Sequence, residues 1–378
     1  MSGNKLSRIL TVLAGLTTVF TMGSARADWG ALNLTKGVTP MSRDIYDLHM
    51  LVLWIVTVVG IAVFSVMIYS IVKHRKSKGA EAAQFHEKTS AEIIWTTIPF
   101  LILVAIAVPA TQTLLEIEDT SNADMSVQIT GYQWKWKYDY LDEDISFFSS
   151  LAQSSRDVID GDPRKVENYL LNVDNPLVLP TKKKIRFLMT ANDVIHAWWV
   201  PDLGLKQDAI PGFINDGWAY IEEPGTYRGQ CAELCGKDHG YMPVVVVAKN
   251  EADYKVWVDE QKAAAVAAAA SAEQEWTMED LVAKGQQIYQ TSCAACHQPT
   301  GAGVPGAFPA ITGSAIAIGP IEAHVDIVLN GKAGTAMQAF AAQLNDADLA
   351  AVITFQRNGL GNNVGDLVQP SAIKAARK

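Results

Sequence analysis

Only four cysteines occur in 378 residues. They fall as two local pairs, Cys231/Cys235 and Cys293/Cys296, and none is left over for a scattered disulfide framework, so metal or cofactor chemistry is their leading use. Basic residues are scarce as well: 31 Lys plus Arg against 40 Asp plus Glu give a formal charge of −9. That excludes a general nucleic-acid binder, which needs a basic footprint on phosphate. With 19% charged and 49% hydrophobic residues, the chain is too apolar for a disordered tail and too long for a single small module.

Charge is missing altogether from three stretches. The first, Ile9 to Met22, follows Lys5 and Arg8 and precedes Ala25-Arg26-Ala27, a small-x-small site of the kind a signal peptidase accepts. As a helix it would rise only about 21 Å, short of the roughly 30 Å hydrocarbon layer, so residues 1–27 are expected to be a cleaved export signal rather than an anchor. Cleavage would leave 28 basic against 40 acidic residues, near −12. The other two runs, Leu51–Val72 with 22 residues and Ile93–Leu115 with 23, are long enough to cross a bilayer. They are expected as transmembrane helices at 51–72 and 93–115 within a segment 28–120. Buried core helices are the alternative, but these seldom run past about 20 residues without a charge. Lys73, Arg75, Lys76, Lys78 and Lys88 between the runs, against four acids and no base in Glu116–Ser126, place the loop in the cytoplasm and both mature termini outside. After Leu115 the balance is 21 basic to 34 acidic residues, which favours a basic partner through steering.

Residues 121–258 read as strands. Ser126–Tyr140 is rich in aromatic and β-branched residues, Lys184–Thr190 alternates and Met242–Ala248 ends in valines, with turns at Asp160-Gly161-Asp162-Pro163, Asp174-Asn175-Pro176, Pro211-Gly212 and Glu223-Pro224-Gly225. An antiparallel β-sandwich or barrel is expected. Eight alanines within Ala263–Ala272 propagate helix but offer nothing large to pack, so 259–276 reads as a linker. Beyond it, helices at Met278–Gln290 and Asp346–Arg357, the second capped by Asn345 or Asp346, predict a small all-α domain over 277–378.

Cys293-Ala294-Ala295-Cys296-His297 has the spacing at which two thiols add to the vinyl groups of one haem while the next imidazole reaches the iron. A redox Cys-x-x-Cys or half a zinc site are the alternatives; neither requires the adjacent histidine, and no second pair lies in this domain to complete zinc. Met337, the only methionine after the motif, is the expected sixth ligand and His324 its rival. A bis-histidine site would have the lower potential.

The second pair lies in Gln230-Cys231-Ala232-Glu233-Leu234-Cys235-Gly236-Lys237-Asp238-His239-Gly240-Tyr241-Met242. Soft sulfur with imidazole selects copper or zinc over hard cations. Two thiols suffice to bridge two coppers, with His196 supplying a second imidazole; Cys₂His₂ zinc would use the same four groups and leave Met242 idle.

Two resemblances enter on these residues. Gly285, Tyr289, the haem motif, Phe308-Pro309 and Met337 ahead of Phe340 resemble monohaem class I cytochromes c, which usually carry proline where this chain has Gln338. The copper motif, His196, Leu203-Gly204-Leu205-Lys206-Gln207-Asp208-Ala209-Ile210-Pro211-Gly212, Gly131-Tyr132-Gln133-Trp134-Lys135-Trp136 and the two apolar runs closely resemble subunit II of cytochrome c oxidase in the haem-copper family. With the cytochrome extension, the chain resembles the subunit II/cytochrome c fusions of some bacteria. The resemblance implies a membrane-anchored multidomain protein with a two-helix transmembrane hairpin, a cupredoxin-like β-sandwich or barrel and an all-α cytochrome c domain, in a bacterial inner membrane with both metal domains outside. It implies a dinuclear CuA centre bridged by Cys231 and Cys235, with His196 and His239 on one copper each, Met242 a weak ligand and Glu233 giving its backbone carbonyl. The Glu233 carboxylate would also reach a Mg²⁺ at the boundary with subunit I, a role that suits a hard ligand; a plain solvated loop acid is the alternative.

By the same resemblance Trp134 matches a surface tryptophan through which electrons enter CuA, although a tryptophan in an aromatic strand is usually packing. Glu92 matches an acid at the mouth of a proton channel into subunit I, and Thr89-Ser90-Ala91-Glu92 is also a capping box in which the glutamate bonds back to Thr89. The implied function is relay of electrons from cytochrome c or a cytochrome bc complex through haem c and CuA to subunit I, accompanied by subunit III. Oxygen chemistry would lie in subunit I, because His49, His74 and His86 are too few and badly placed to hold an oxygen-binding haem. A nitric oxide or nitrous oxide reductase component shares the copper geometry. A membrane-tethered copper carrier would need no haem motif, and quinol oxidase subunit II lacks the copper ligands.

Overall fold

The computed structural model describes residues 33–377 apart from Ala82, Ala83, Phe85 and Ala272, so the expected export signal at 1–27 lies outside the described residues. The chain divides into two compact units at Leu114/Leu115.

The first unit is built on helix α1 (Pro40–Lys73) and most of α2 (Thr89–Glu118). Each apolar run lies within one of these helices, which at 34 and 30 residues reach about 51 and 45 Å. The extra turns of α1 have a local cause: Thr39 accepts from the Ser42 N–H while Ser42 accepts from the Thr39 N–H, and Pro40 occupies the first turn, where its missing donor costs nothing. Large apolar side chains such as Trp54, Phe64, Ile71 and Leu103 stand exposed along both helices, a surface suited to lipid and not to water. The hydroxyls of Thr57 and Thr111 donate to the carbonyls of Leu53 and Ala107 one turn back, so neither is left unpaired in hydrocarbon. Both helices are long and apolar enough to span a membrane. The capping box expected at Thr89 is displaced by one residue. Thr89 is already helical, and the Glu92 carboxylate accepts from the Lys88 N–H at 3.4 Å, because the helix begins as soon as Lys88 can offer its carbonyl to Ala91 and Glu92.

In the second unit ten strands form two five-stranded sheets, ordered β3-β2-β1-β5-β8 and β4-β10-β9-β6-β7. The strands are β1 (Met125–Tyr132), β2 (Lys135–Tyr140), β3 (Ile145–Ser149), β4 (Leu177–Pro180), β5 (Lys184–Ala191), β6 (His196–Val200), β7 (Leu205–Ala209), β8 (Asn215–Tyr220), β9 (Gly225–Cys231) and β10 (Pro243–Lys249). Alternation places Val127, Ile129, Ile185 and Phe187 of one sheet, and Leu177, Leu179, Trp198 and Val246 of the other, fully inside. Phe187 and Trp198 join the sheets with ring centroids 5.4 Å apart. The sandwich departs from the all-antiparallel expectation: β1 pairs with β5 and β4 with β10 in parallel. Long connections separate each of these pairs in sequence, which parallel pairing requires and hairpin patterns do not reveal.

Helix α3 (Glu251–Ser271) docks its first turns on the sandwich through buried Tyr254 and Val258 and through Trp257, 5.2 Å from the Tyr140 ring. The alanine-rich run is thus the second half of a continuous helix. The last domain holds α4 (Met278–Ser292, capped by Thr277), α5 (Ile321–Asn330), α6 (Asp346–Asn358, capped by Asn345) and α7 (Pro370–Ala376). Its centre is the crossing of α4 and α6, where a Cβ on Gly285 would stand 2.0 Å from the Ala351 carbonyl oxygen. Buried Arg357 is paired with Asp366 and donates to the carbonyls of Ala317 and Gly319, tying the loop before α5 to α6.

Candidate copper and haem sites

Two strands and one loop assemble the sulfur cluster. His196 opens β6, Cys231 ends β9, Cys235 and His239 follow on the connecting loop, and Met242 directly precedes β10. Cys231, Cys235, His196 and Met242 are buried, while Glu233 and His239 are half-buried. The donor atoms of His196, Cys231 and Cys235 all lie within 4.8 Å of one another. The two sulfurs are 3.8 Å apart, and His239 Nδ1 is 3.6 Å from Cys235 Sγ. The Glu233 carbonyl lies 3.3 Å from Cys231 Sγ.

Asp193, a residue no motif singled out, organises this cluster. Its Oδ1 is 2.9 Å from His196 Nε2, which fixes the tautomer and leaves His196 Nδ1 buried with no hydrogen-bond partner among the described residues. An imidazole held by a carboxylate through one nitrogen, with the other orphaned beside sulfur, is how a metal-binding histidine is arranged. Burial alone would lower the His196 pKa, but the bond to Asp193 and the neighbouring Cys231 sulfur outweigh it and raise it. The Cys231 thiol is held well below its ordinary value by the Cys235 S–H, with further help from His196, whereas Cys235 is pushed up by its neighbour. A ready thiolate beside a soft, buried donor set fits copper or zinc.

Trp134 lies in the two-residue turn between β1 and β2, not in a strand, and is half-exposed; the packing role falls to fully buried Trp136, whose ring is 5.9 Å from that of His196. Trp134 Nε1 donates to the Cys235 carbonyl at 3.2 Å, and Gln133 Nε2 donates to the same oxygen at 2.9 Å.

Trp134 also borders a cavity of about 440 Å³ between the sandwich and the helical domain, lined by Cys293, Cys296, His297, Met337 and His324 among others. This volume suits a bound cofactor, for which roughly 300–1,000 Å³ is usual. Cys293 follows the end of α4, and Cys296 and His297 lie in the single turn after it. His297 Nδ1 is 2.8 Å from the Pro309 carbonyl, so Nδ1 carries the proton and Nε2 is available to a metal. Burial pushes the Cys293 thiol up to about 12 and raises Cys296 as well, opposite to the activated thiolate of a redox Cys-x-x-Cys. Met337 is half-buried. His324 Nε2 is engaged with Gln356 Oε1 at 2.8 Å, and the Gln356 amide in turn meets Cys293 Sγ at 3.8 Å.

Two contacts across the seam between the sandwich and the helical domain accompany the cavity. Lys237 Nζ donates to the Ala295 carbonyl at 3.1 Å, within the Cys-x-x-Cys turn, and Lys135 Nζ stands 5.5 Å from the centroid of Phe340. Glu92 lies exposed in the first turn of α2.

Comparison with known proteins agrees with this anatomy. Residues 27–113 match the family described as cytochrome c oxidase subunit II, transmembrane domain, and residues 125–249 its periplasmic domain. Residues 280–355 match the family described as cytochrome c oxidase, cbb3-type, subunit III. The probable cytochrome c oxidase subunit 2 of Rickettsia bellii is 35% identical over 243 residues, covering 64% of this chain and 88% of the relative. Cytochrome c oxidase subunit 2 of Cereibacter sphaeroides is 34% identical, with 62% and 81% covered. The crystal structure of the periplasmic domain of subunit II of the Bradyrhizobium japonicum cytochrome oxidase aligns with a TM-score of 0.33 at 41% identity, covering 38% of this chain and 96% of that one. The chain belongs to the cytochrome c oxidase subunit II family, as a two-pass membrane component of a haem-copper oxidase that carries an added cytochrome c domain.

Proposed function

We propose that the chain is the electron-relay subunit of a respiratory oxidase, with dinuclear copper on Cys231, Cys235, His196, His239, Met242 and the Glu233 carbonyl, and haem c on Cys293 and Cys296 with His297 and Met337 as axial ligands. Bound there, these groups would supply the one-electron chemistry of a relay from a reduced donor to subunit I. The observation that carries the reading is that Trp134 both bonds to the Cys235 carbonyl and lines the cavity that holds Cys293, Cys296 and His297. Cys₂His₂ zinc would leave the buried Met242 idle, which favours copper. In this reading Met337 is the sixth ligand, while His324 gives its Nε2–H to Gln356 Oε1.

The finer assignments follow from this reading. The Glu233 carboxylate binds Mg²⁺ at the subunit I boundary, and Glu92 admits protons from the cytoplasmic side. The export signal is removed after Ala27, and the functional blocks are 28–120, 121–258, 259–276 and 277–378. The metal domains face outward, subunit III joins the assembly, and cytochrome c or a cytochrome bc complex delivers to the haem because the chain's own helical domain adjoins Trp134. A nitric oxide or nitrous oxide reductase component is the second reading, and oxygen consumption by the purified complex separates the two.

Rapid mixing of the intact oxidised complex with reduced cytochrome c tests the relay. Haem reduction should precede copper reduction, and Trp134→Phe should slow the second step while leaving both spectra intact. Copper reduced first, or a second step unaltered by Trp134→Phe, would contradict the assignment.

A further inference from the structure

Gln338 follows the expected haem ligand Met337 directly in the chain. The loop bearing it is pinned on both sides: Lys332 N donates to the Met337 carbonyl at 3.0 Å, and Phe340 N and Ala341 N donate to Val328 and Leu329 of α5 at 3.0 and 3.1 Å. Between these anchors the Gln338 side chain reaches across to the sandwich. Its Nε2 donates to the Gln133 carbonyl at 3.0 Å and to Asp193 Oδ2 at 3.3 Å. Gln343 Nε2, 3.3 Å from Gln338 Oε1, orients the amide so that its two donors face the copper domain. Both acceptors belong to the copper site's own support: Asp193 holds His196 through Oδ1, and Gln133 donates its N–H to Asp193 Oδ2 at 2.8 Å and its side chain to the Cys235 carbonyl.

We infer that Gln338 is an interdomain latch, a positioning residue that fixes the Met337 loop against the Gln133–Trp134 turn and thereby holds the two metal sites in one docked arrangement. This rests on the relay reading for its purpose, though not for its geometry. The other contacts across the seam are weaker candidates for the task. Lys237 is a single exposed cation on a flexible stem, and Lys135 offers a non-directional cation–π contact. Gln338 instead supplies two directed bonds, one to a carboxylate, and loss of a hydrogen bond to a charged group shifts a docked equilibrium by about tenfold to a hundredfold.

Two substitutions in the intact oxidase complex separate a latch from a space-filler. Gln338→Met keeps length and bulk but cannot donate, whereas Gln338→Lys restores a donor long enough for the Gln133 carbonyl and Asp193. Amide hydrogen exchange is read over residues 131–135 and 335–341, and the rate of electron passage from haem to copper is read after flash reduction by a photoexcited ruthenium complex. In Gln338→Met, exchange in both segments should rise together and the rate should fall at least about tenfold, with the haem absorption, the copper electron-paramagnetic signal and both potentials unchanged. Gln338→Lys should recover both readouts. Unchanged exchange in Gln338→Met, or equal disturbance by Met and Lys, would overturn the latch. If no electron passes from haem to copper in the unsubstituted complex, the relay reading fails, and the exchange data still decide the latch.

Discussion

A Cβ added to Gly131 would lie 2.7 Å from Cδ2 of His196, inside the imidazole ring's own space. The strand beside the sulfur cluster thus carries glycine because the histidine side chain packs against its backbone. Gly131→Ala should displace His196 from Cys231 and strip most copper from the complex while leaving covalent haem in place, as metal and haem analysis of the purified variant would show. Full copper content in that variant would mean that His196 is not held where the sulfurs need it.

Asp193 serves His196 on one side and the Gln133 turn on the other. Removing a carboxylate that orients a metal-binding histidine typically weakens metal affinity by about 10–100-fold. Asp193→Ala should show a loss of that size when copper is competed away with a calibrated chelator.

In the helical domain the close approach of Gly285 to the Ala351 carbonyl sets the crossing of α4 and α6. Gly285→Ala forces the helices apart, at an overpacking cost of about 1–3 kcal/mol. Thermal loss of the haem absorption should occur at a lower temperature in this variant, with the copper signal melting as before.

The buried His324 is expected to make stability pH-dependent. Burial, its largest influence, pushes its pKa down to about 4, against about 6.5 in an unfolded chain. Between these values the unfolded chain binds a proton that the folded domain refuses, so stability is complete above pH 6.5 and falls as pH drops toward 4, by at most about 3 kcal/mol. His324→Gln should flatten the slope of thermal stability against pH across that window; an unchanged slope would assign it to other groups.

Much of this anatomy is legible in the sequence because its signals are local. The candidate donors other than His196 fall within one short stretch from Cys231 to Met242, the Cys-x-x-Cys-His motif within five residues, and the caps Thr277 and Asn345 directly before their helices. Hydropathy delimits only the lipid-crossing part of α1 and α2, since caps and not apolarity decide where a helix ends. The parallel pairs β1/β5 and β4/β10 leave no short-range trace. The link among Asp193, Gln133 and Gln338 leaves no trace for the same reason: Gln338 meets Gln133 across 205 positions of chain, so the contact shows only once the fold brings them together. Only the spacing of Asp193 three residues before His196 offered a clue.

Electron paramagnetic resonance of the purified oxidised complex, with copper and zinc determined on the same sample, tests the central claim most directly. The account predicts about two coppers per chain and the signal of one unpaired electron shared equally between them, a signal abolished by Cys231→Ser. Zinc at the cysteines, or the spectrum of one isolated copper, would contradict it.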